Sequence, residues 1–199
     1  MEQERKRLFI GKNTGAKERL KVIKWAAENK YDTLVFSLGD KFFKSRNRNL
    51  KYIKLMKRHS FIIEAGGRDF SLLLPRRLFL FHRDLFRMEQ GKRKPDHHFC
   101  PTNPKTTAVV AERARRLFAR AMRKTTVPRI FHLLPDEGYE TVWCACPACR
   151  AFSPAEQNLI AINAASDALA KLDPAAQLAF FNFGDEGKEE EITPKENVF

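Results

Sequence analysis

No run of about 18 apolar residues occurs anywhere in the sequence, so it offers no candidate for a membrane-spanning helix. The opening residues Glu2-Gln3-Glu4-Arg5-Lys6-Arg7 are charged and lead into an apolar patch too short for a secretory signal, which makes a cytoplasmic location the expectation. Glycine is scarce, at nine of 199 residues. No Gly-x-Gly-x-x-Gly follows the first apolar run and no phosphate-binding loop occurs, which excludes the common nucleotide-cradling motifs. Acidic side chains are short in the first 150 residues, 15 against 34 Lys and Arg, and in excess in the remainder, nine against three.

What is present suffices for a folded domain. A chain of 199 residues with 43% hydrophobic content can bury a substantial core and is expected to form one domain. The net charge of +13 raises the question of a nucleic-acid partner. The basic residues are scattered, as in Arg113, Arg115, Arg116, Arg120 and Arg123, and are not interleaved with aromatics. Most phenylalanines sit inside apolar runs where core packing accounts for them. Solvated basic faces are therefore the simpler reading, and specific nucleic-acid binding is not expected.

Apolar strand-like runs alternate with amphipathic helical stretches. Strands are expected at residues 8–10, 33–38, 60–64, 130–134 and 177–183, with Ala65-Gly66-Gly67 stopping the third. Helices are expected at 15–29, 49–58, 103–123 and 153–172. Ser153-Pro154-Ala155-Glu156 is a strong helix start, with an N-cap serine, proline at the first helical position and glutamate reaching back. Residues 68–103 are too long for an ordinary connection, which implies small satellite elements or a functional loop.

Four strand-helix units and a closing strand predict an α/β fold with a parallel sheet. A complete eightfold barrel needs about 250 residues, so the leading expectation is a partial (βα) barrel over residues 1–183. Residues 184–199 form an acidic, turn-rich tail leading towards a missing remainder. A half-barrel of this kind would expose apolar edges and self-associate. An open doubly wound sheet is the alternative.

The candidate site lies where the strand at 130–134 ends. Pro135 closes it, and Asp136 and Glu137 follow, at the end of a strand where α/β folds do chemistry. Adjacent residues of an extended chain point in opposite directions, so the two carboxylates would be aimed differently. The simpler reading has Asp136 capping a turn before Gly138 and Glu137 solvated. Lys12, Asn13, Asp40, Glu64, Arg68 and Asp69 follow the earlier strands, and Arg68 and Asp69 are candidates for gripping sugar hydroxyls. Trp143 is a candidate to stack on a sugar ring or to anchor its loop. His82, His97 and His98 fall in the long irregular stretch, where a lone histidine is usually a surface imidazole; the His97-His98 pair next to Cys100 is the exception to weigh.

Cys144, Cys146 and Cys149 place three thiols within six residues, and Cys100 is the only other cysteine. The loops after the third and fourth strands of a parallel barrel are neighbours, so Cys100 can complete a four-cysteine structural zinc site. Free thiols in a reducing cytosol and disulfides in an exported protein are the competing states.

Three segments together carry a resemblance: Glu64-Ala65-Gly66-Gly67-Arg68 to Leu74-Pro75; Phe99-Cys100-Pro101-Thr102-Asn103-Pro104; and Pro135-Asp136-Glu137-Gly138 to Trp143-Cys144-Ala145-Cys146-Pro147-Ala148-Cys149-Arg150-Ala151-Phe152-Ser153. The chain resembles the bacterial domain-of-unknown-function family 4838, whose members look like glycoside-hydrolase barrels akin to hexosaminidases and α-glucuronidases. The resemblance implies a TIM-type barrel and a carbohydrate substrate or ligand. It also implies roles, since the Asp-Glu pair resembles the one closing the fourth strand of hexosaminidases: Glu137 as general acid and Asp136 as the group orienting a substrate acetamido nucleophile. Arg68 departs from the histidine often found after the paired glycines, and Glu137 from an aspartate. The alternative function is a non-catalytic carbohydrate-binding or zinc-stabilised structural domain.

Overall fold

The computed structural model describes residues 5–11, 14–44, 50–96, 98–123, 129–136, 138, 142–180 and 192–199. Its main sheet has five strands: β1 (Arg7–Ile10), β2 (Thr33–Phe36), β3 (Ile62–Arg68) and, further along the chain, β6 (Ile130–Leu134) and β7 (Gln177–Ala179). The first four are short runs carrying β-branched or aromatic residues, and the order β1-β2-β3-β6-β7 is parallel at every junction. Strand order follows chain order without reversal. A doubly wound sheet reverses at a switch point, so this is the singly wound arrangement of a partial βα barrel.

The helices are α1 (Ala16–Glu28), α2 (Lys41–Lys44), α3 (Leu50–Arg58), α4 (Pro104–Met122) and α5 (Pro154–Ala170). In α4 the residues Thr106, Val110, Ala114, Leu117, Phe118 and Ala121 form one buried stripe at helical spacing. Asn103 caps that helix, accepting from Lys105 N at 3.0 Å. At the start of α5, Ser153 Oγ accepts from Glu156 N at 3.1 Å while Glu156 accepts from Ser153 N at 2.7 Å, the reciprocal capping box expected from the tetrapeptide.

The two faces of the sheet differ. Ile10, Leu34, Phe36, Ile63, Ala65, Phe131, Leu133 and Leu178 join the helix residues in one core. The opposite face carries Phe9, Val35 and Glu64 in one row, with Gly66 beside His132. There Phe9 and Ile62 are 47% and 41% exposed, whereas Glu64 and His132 are buried.

Two boundaries correct the sequence expectation. The third strand does not stop at Ala65-Gly66-Gly67 but runs through them to Arg68, pairing with β6 residue by residue. Gly66 has φ of +133°, and a Cβ there would stand 1.8 Å from the His132 carbonyl oxygen, so the glycine permits close strand approach rather than a turn. The last strand is shorter than expected, Gln177–Ala179, and residues 181–183 lie outside the described residues.

The long connection after β3 holds the expected satellite elements. Three short 3-10 turns (Phe70–Leu72, Arg76–Leu80, Arg83–Leu85) precede a hairpin of β4 (Met88–Glu89) and β5 (Lys92–Arg93). Gln90 and Gly91 at the hairpin tip both have positive φ, the tight turn that matches strand twist. Phe70, Leu73, Leu74, Phe86 and Phe99 bury this segment against the core. The last residues also pack: Val198 pairs in parallel with Leu178, and Lys195 meets Asp167 of α5. Among the described residues, no helix is long and apolar enough to cross a membrane.

Candidate functional site

The carboxyl ends of β1, β2, β3 and β6 surround a cleft of about 770 Å³ whose lining includes Gly11, Ser37, Gly66, Gly67, Arg68 and Asp69. Extending β3 through its glycines carries Arg68 and Asp69 to this rim. Asp69 is 1% exposed and clamps two strand ends together: Oδ1 accepts from Ser37 Oγ and Oδ2 from Leu38 N, each at 2.7 Å, while its own N–H donates to Leu134 O at 3.2 Å. Exposed Arg68 reaches towards β6, its Nη1 lying 3.4 Å from Pro135 O.

Asp136 follows β6 after Pro135 and is buried. Ser71 donates to both its carboxylate oxygens, from N at 2.8 Å and from Oγ at 3.0 Å, so it anchors the first 3-10 turn after β3. Glu137, the expected acid, lies outside the described residues, as do Lys12, Asn13 and His97. Trp143 is buried in an aromatic box. It stacks on His98 at 4.4 Å between centroids and meets Phe70 and Phe99 edge-on at 5.9 and 6.3 Å. Asp40 is wholly buried and engaged: Arg19 Nη2 donates to it at 2.7 Å and Phe42 N at 2.6 Å. His82 is on the surface.

Sequence reasoning missed a polar knot on the cleft-side face of the sheet. Glu64, expected at the very end of the third strand, sits within β3 and is 1% exposed. His132 Nε2 lies 2.6 Å from its Oε2, Arg7 Nε donates to the same oxygen at 2.9 Å, and Arg5 Nη1 lies 3.3 Å from Oε1. Burial alone would raise the Glu64 pKa. The hydrogen bonds from His132 and Arg7 outweigh it and hold the carboxyl below its usual range, so it stays ionised. The available signal was a charge at an inward-facing strand position, matched by a histidine on the neighbouring strand, opposite Gly66.

The four cysteines converge. All are buried free thiols, and their Sγ atoms lie within 4.8 Å of one another. Cys100 Sγ is 3.7 Å from Cys146 Sγ and 3.6 Å from Cys149 Sγ. Cys100 comes from the connection after β3 and the other three from the connection after β6, the neighbouring-loop geometry the topology predicts. Hydrogen bonds from the Cys144 and Cys149 thiols hold Cys100 well below the ordinary thiol range. The same contact with Cys100 pushes Cys144 up to about 11 and Cys149 higher still. Gln157 of α5 organises the loop: its Oε1 accepts from Cys144 N at 3.0 Å, and its Nε2 donates to the carbonyls of Cys144, Cys149 and Phe152 at 3.2 Å each. Four buried sulfurs so arranged can hold a metal such as zinc.

No protein family matches the chain, and no curated protein matches it. Among solved structures it is similar to a GH36 α-galactosidase from Geobacillus stearothermophilus in complex with stachyose, with 8% identity and a TM-score of 0.48, over 87% of this chain and 27% of that one. The chain thus spans about a quarter of that enzyme's length.

Proposed function

We propose that this chain is a glycoside-hydrolase-like partial barrel that takes carbohydrate at the carboxyl ends of its parallel strands. The observation that carries the reading is the cleft there, with Arg68 and Asp69 on its rim, the end of a βα barrel at which ligands bind. The motif resemblance to family 4838 supports it. In this reading residues 1–183 form a partial barrel. Arg68 donates to sugar hydroxyls, Asp69 holds the rim beneath them through Ser37 and Leu38, and Trp143 stands behind the loop as its apolar wall. Glu137 protonates the leaving oxygen and Asp136 orients the substrate group that assists departure. A sheet face exposing Phe9 and Ile62 makes self-association part of the expectation.

Hydrolysis of a panel of aryl glycosides, compared between the natural chain and Glu137→Gln, tests the enzymatic part. Loss of the proton donor is expected to slow turnover by about 10²–10⁴-fold. Equal rates in the two proteins would remove Glu137 from the mechanism. The second reading, favoured by the four-cysteine cluster, is a carbohydrate-binding or zinc-stabilised structural domain without turnover. It predicts sugar binding in both proteins and hydrolysis in neither.

A further inference from the structure

We propose that Cys100, Cys144, Cys146 and Cys149 form a closed tetrathiolate zinc site, and that this site clamps the two loops carrying Asp69 and Asp136 into position at the cleft. Only the consequence for the cleft rests on the carbohydrate reading; the metal site stands on the sulfur geometry.

Zinc–sulfur bonds of about 2.3 Å in a tetrahedron set sulfur–sulfur edges of about 3.8 Å. The Sγ separations of 3.7 and 3.6 Å match that edge, and they are far from the roughly 2.05 Å of a disulfide. Four cysteines packed merely as small hydrophobes would not call for donors around their sulfurs. Here Met88 N donates to Cys144 Sγ at 3.2 Å, Arg93 Nη1 lies 3.7 Å from the same sulfur, and the Thr102 hydroxyl lies 3.0 Å from Cys149 Sγ. Zinc with four thiolates carries a net charge of −2, and a cation with N–H and O–H donors is the surround that such a charge needs when buried. The turn Cys146-Pro147-Ala148-Cys149 is closed by its own backbone, Cys149 N and Arg150 N both donating to Cys146 O at 3.0 Å. Four protein ligands leave no open coordination position, so the site is structural, and soft thiolates select zinc over magnesium or calcium.

The clamp reaches the cleft through packed rings. Phe99 precedes Cys100 and Trp143 precedes Cys144, and both rings pack on Phe70 at 5.9 Å. Phe70 in turn lies between Asp69, which closes the cleft rim, and Ser71, which holds Asp136. Asp69 is therefore the chain neighbour of the ring that the clamp positions, and Asp136 is hydrogen-bonded to that ring's other neighbour, Ser71.

The test uses the reduced full chain carrying Trp25→Phe, which replaces a surface tryptophan and leaves Trp143 as the sole one. Titration with Co(II) is expected to give the visible ligand-field absorption of a tetrahedral cobalt thiolate at one equivalent, bleached by one equivalent of Zn(II). Chelation of the metal is expected to move Trp143 emission to longer wavelength as water reaches its ring. Cys146→Ser is expected to lose the cobalt absorption. Because that variant can fail to fold, Arg93→Met, which keeps every cysteine, provides the second arm and is expected to weaken metal affinity about tenfold. Absence of stoichiometric metal binding by the reduced protein would overturn the site. Stoichiometric binding with unchanged Trp143 emission would overturn the clamp. Sugar binding that fails in a protein showing both metal signatures would sink the cleft reading and leave the clamp standing.

Discussion

Gly66 and Gly67 show how much a single position constrains this sheet. Both have φ near +130°, which strains any other residue, but only at Gly66 would a Cβ collide with backbone, 1.8 Å from His132 O. The nearest atom to a Cβ at Gly67 is Phe9 Cδ1 at 3.7 Å, an ordinary contact. Gly66→Ala is expected to cost about 2–4 kcal/mol, since it must also force β3 and β6 apart, and Gly67→Ala distinctly less. Thermal unfolding of the two variants measures the difference; equal losses would show that the His132 carbonyl is not the limiting contact. The same residues show where reading the sequence stopped short. Paired glycines after an apolar run look like a turn, because nothing local reveals that a neighbouring strand passes within contact distance. Glu64 and His132 were opaque for the same reason, being far apart in sequence and joined only by strand register.

At the scale of elements, what the sequence makes legible is what short-range chemistry determines. The α5 start needs only four residues to satisfy its first amides, and the capping box formed where Ser153 and Glu156 predicted it. The buried stripe of α4 follows from 3.6-residue periodicity alone. The cysteine loop was visible by spacing, and its union with Cys100 by topology, yet the group that shapes it was not. Gln157 lies on α5 and holds the loop through its side-chain amide, a pattern with no sequence signature. Gln157→Leu keeps the volume but removes the Gln157 bonds to the buried Cys144 N–H and carbonyl, and it is expected to cost about 2–3 kcal/mol. Chemical denaturation gives the number; an unchanged midpoint would mean that the loop draws its order from elsewhere.

For the molecule as a whole, the alternation of strands and helices was enough to predict a parallel sheet, and the unreversed strand order identifies the winding as that of a barrel rather than an open sheet. This winding puts the helices against one face and leaves the other, with Phe9, Ile62 and the Glu64–His132–Arg7 knot, turned towards the barrel interior. It also gathers the strand ends that carry Arg68, Asp69 and Asp136, residues spread over 69 positions of sequence, at one end of the sheet. Composition alone said little about this site: a net charge of +13 describes the surface, and the cleft is made by where the strands end. The central claim is that carbohydrate enters at those ends. Amide chemical-shift mapping of the chain during titration with a panel of neutral and acidic oligosaccharides tests it most directly. The account predicts shifts concentrated on Gly11, Ser37, Gly67, Arg68 and Asp69. Shifts confined to the outer faces of α4 and α5, or no response to any sugar of the panel, would contradict it.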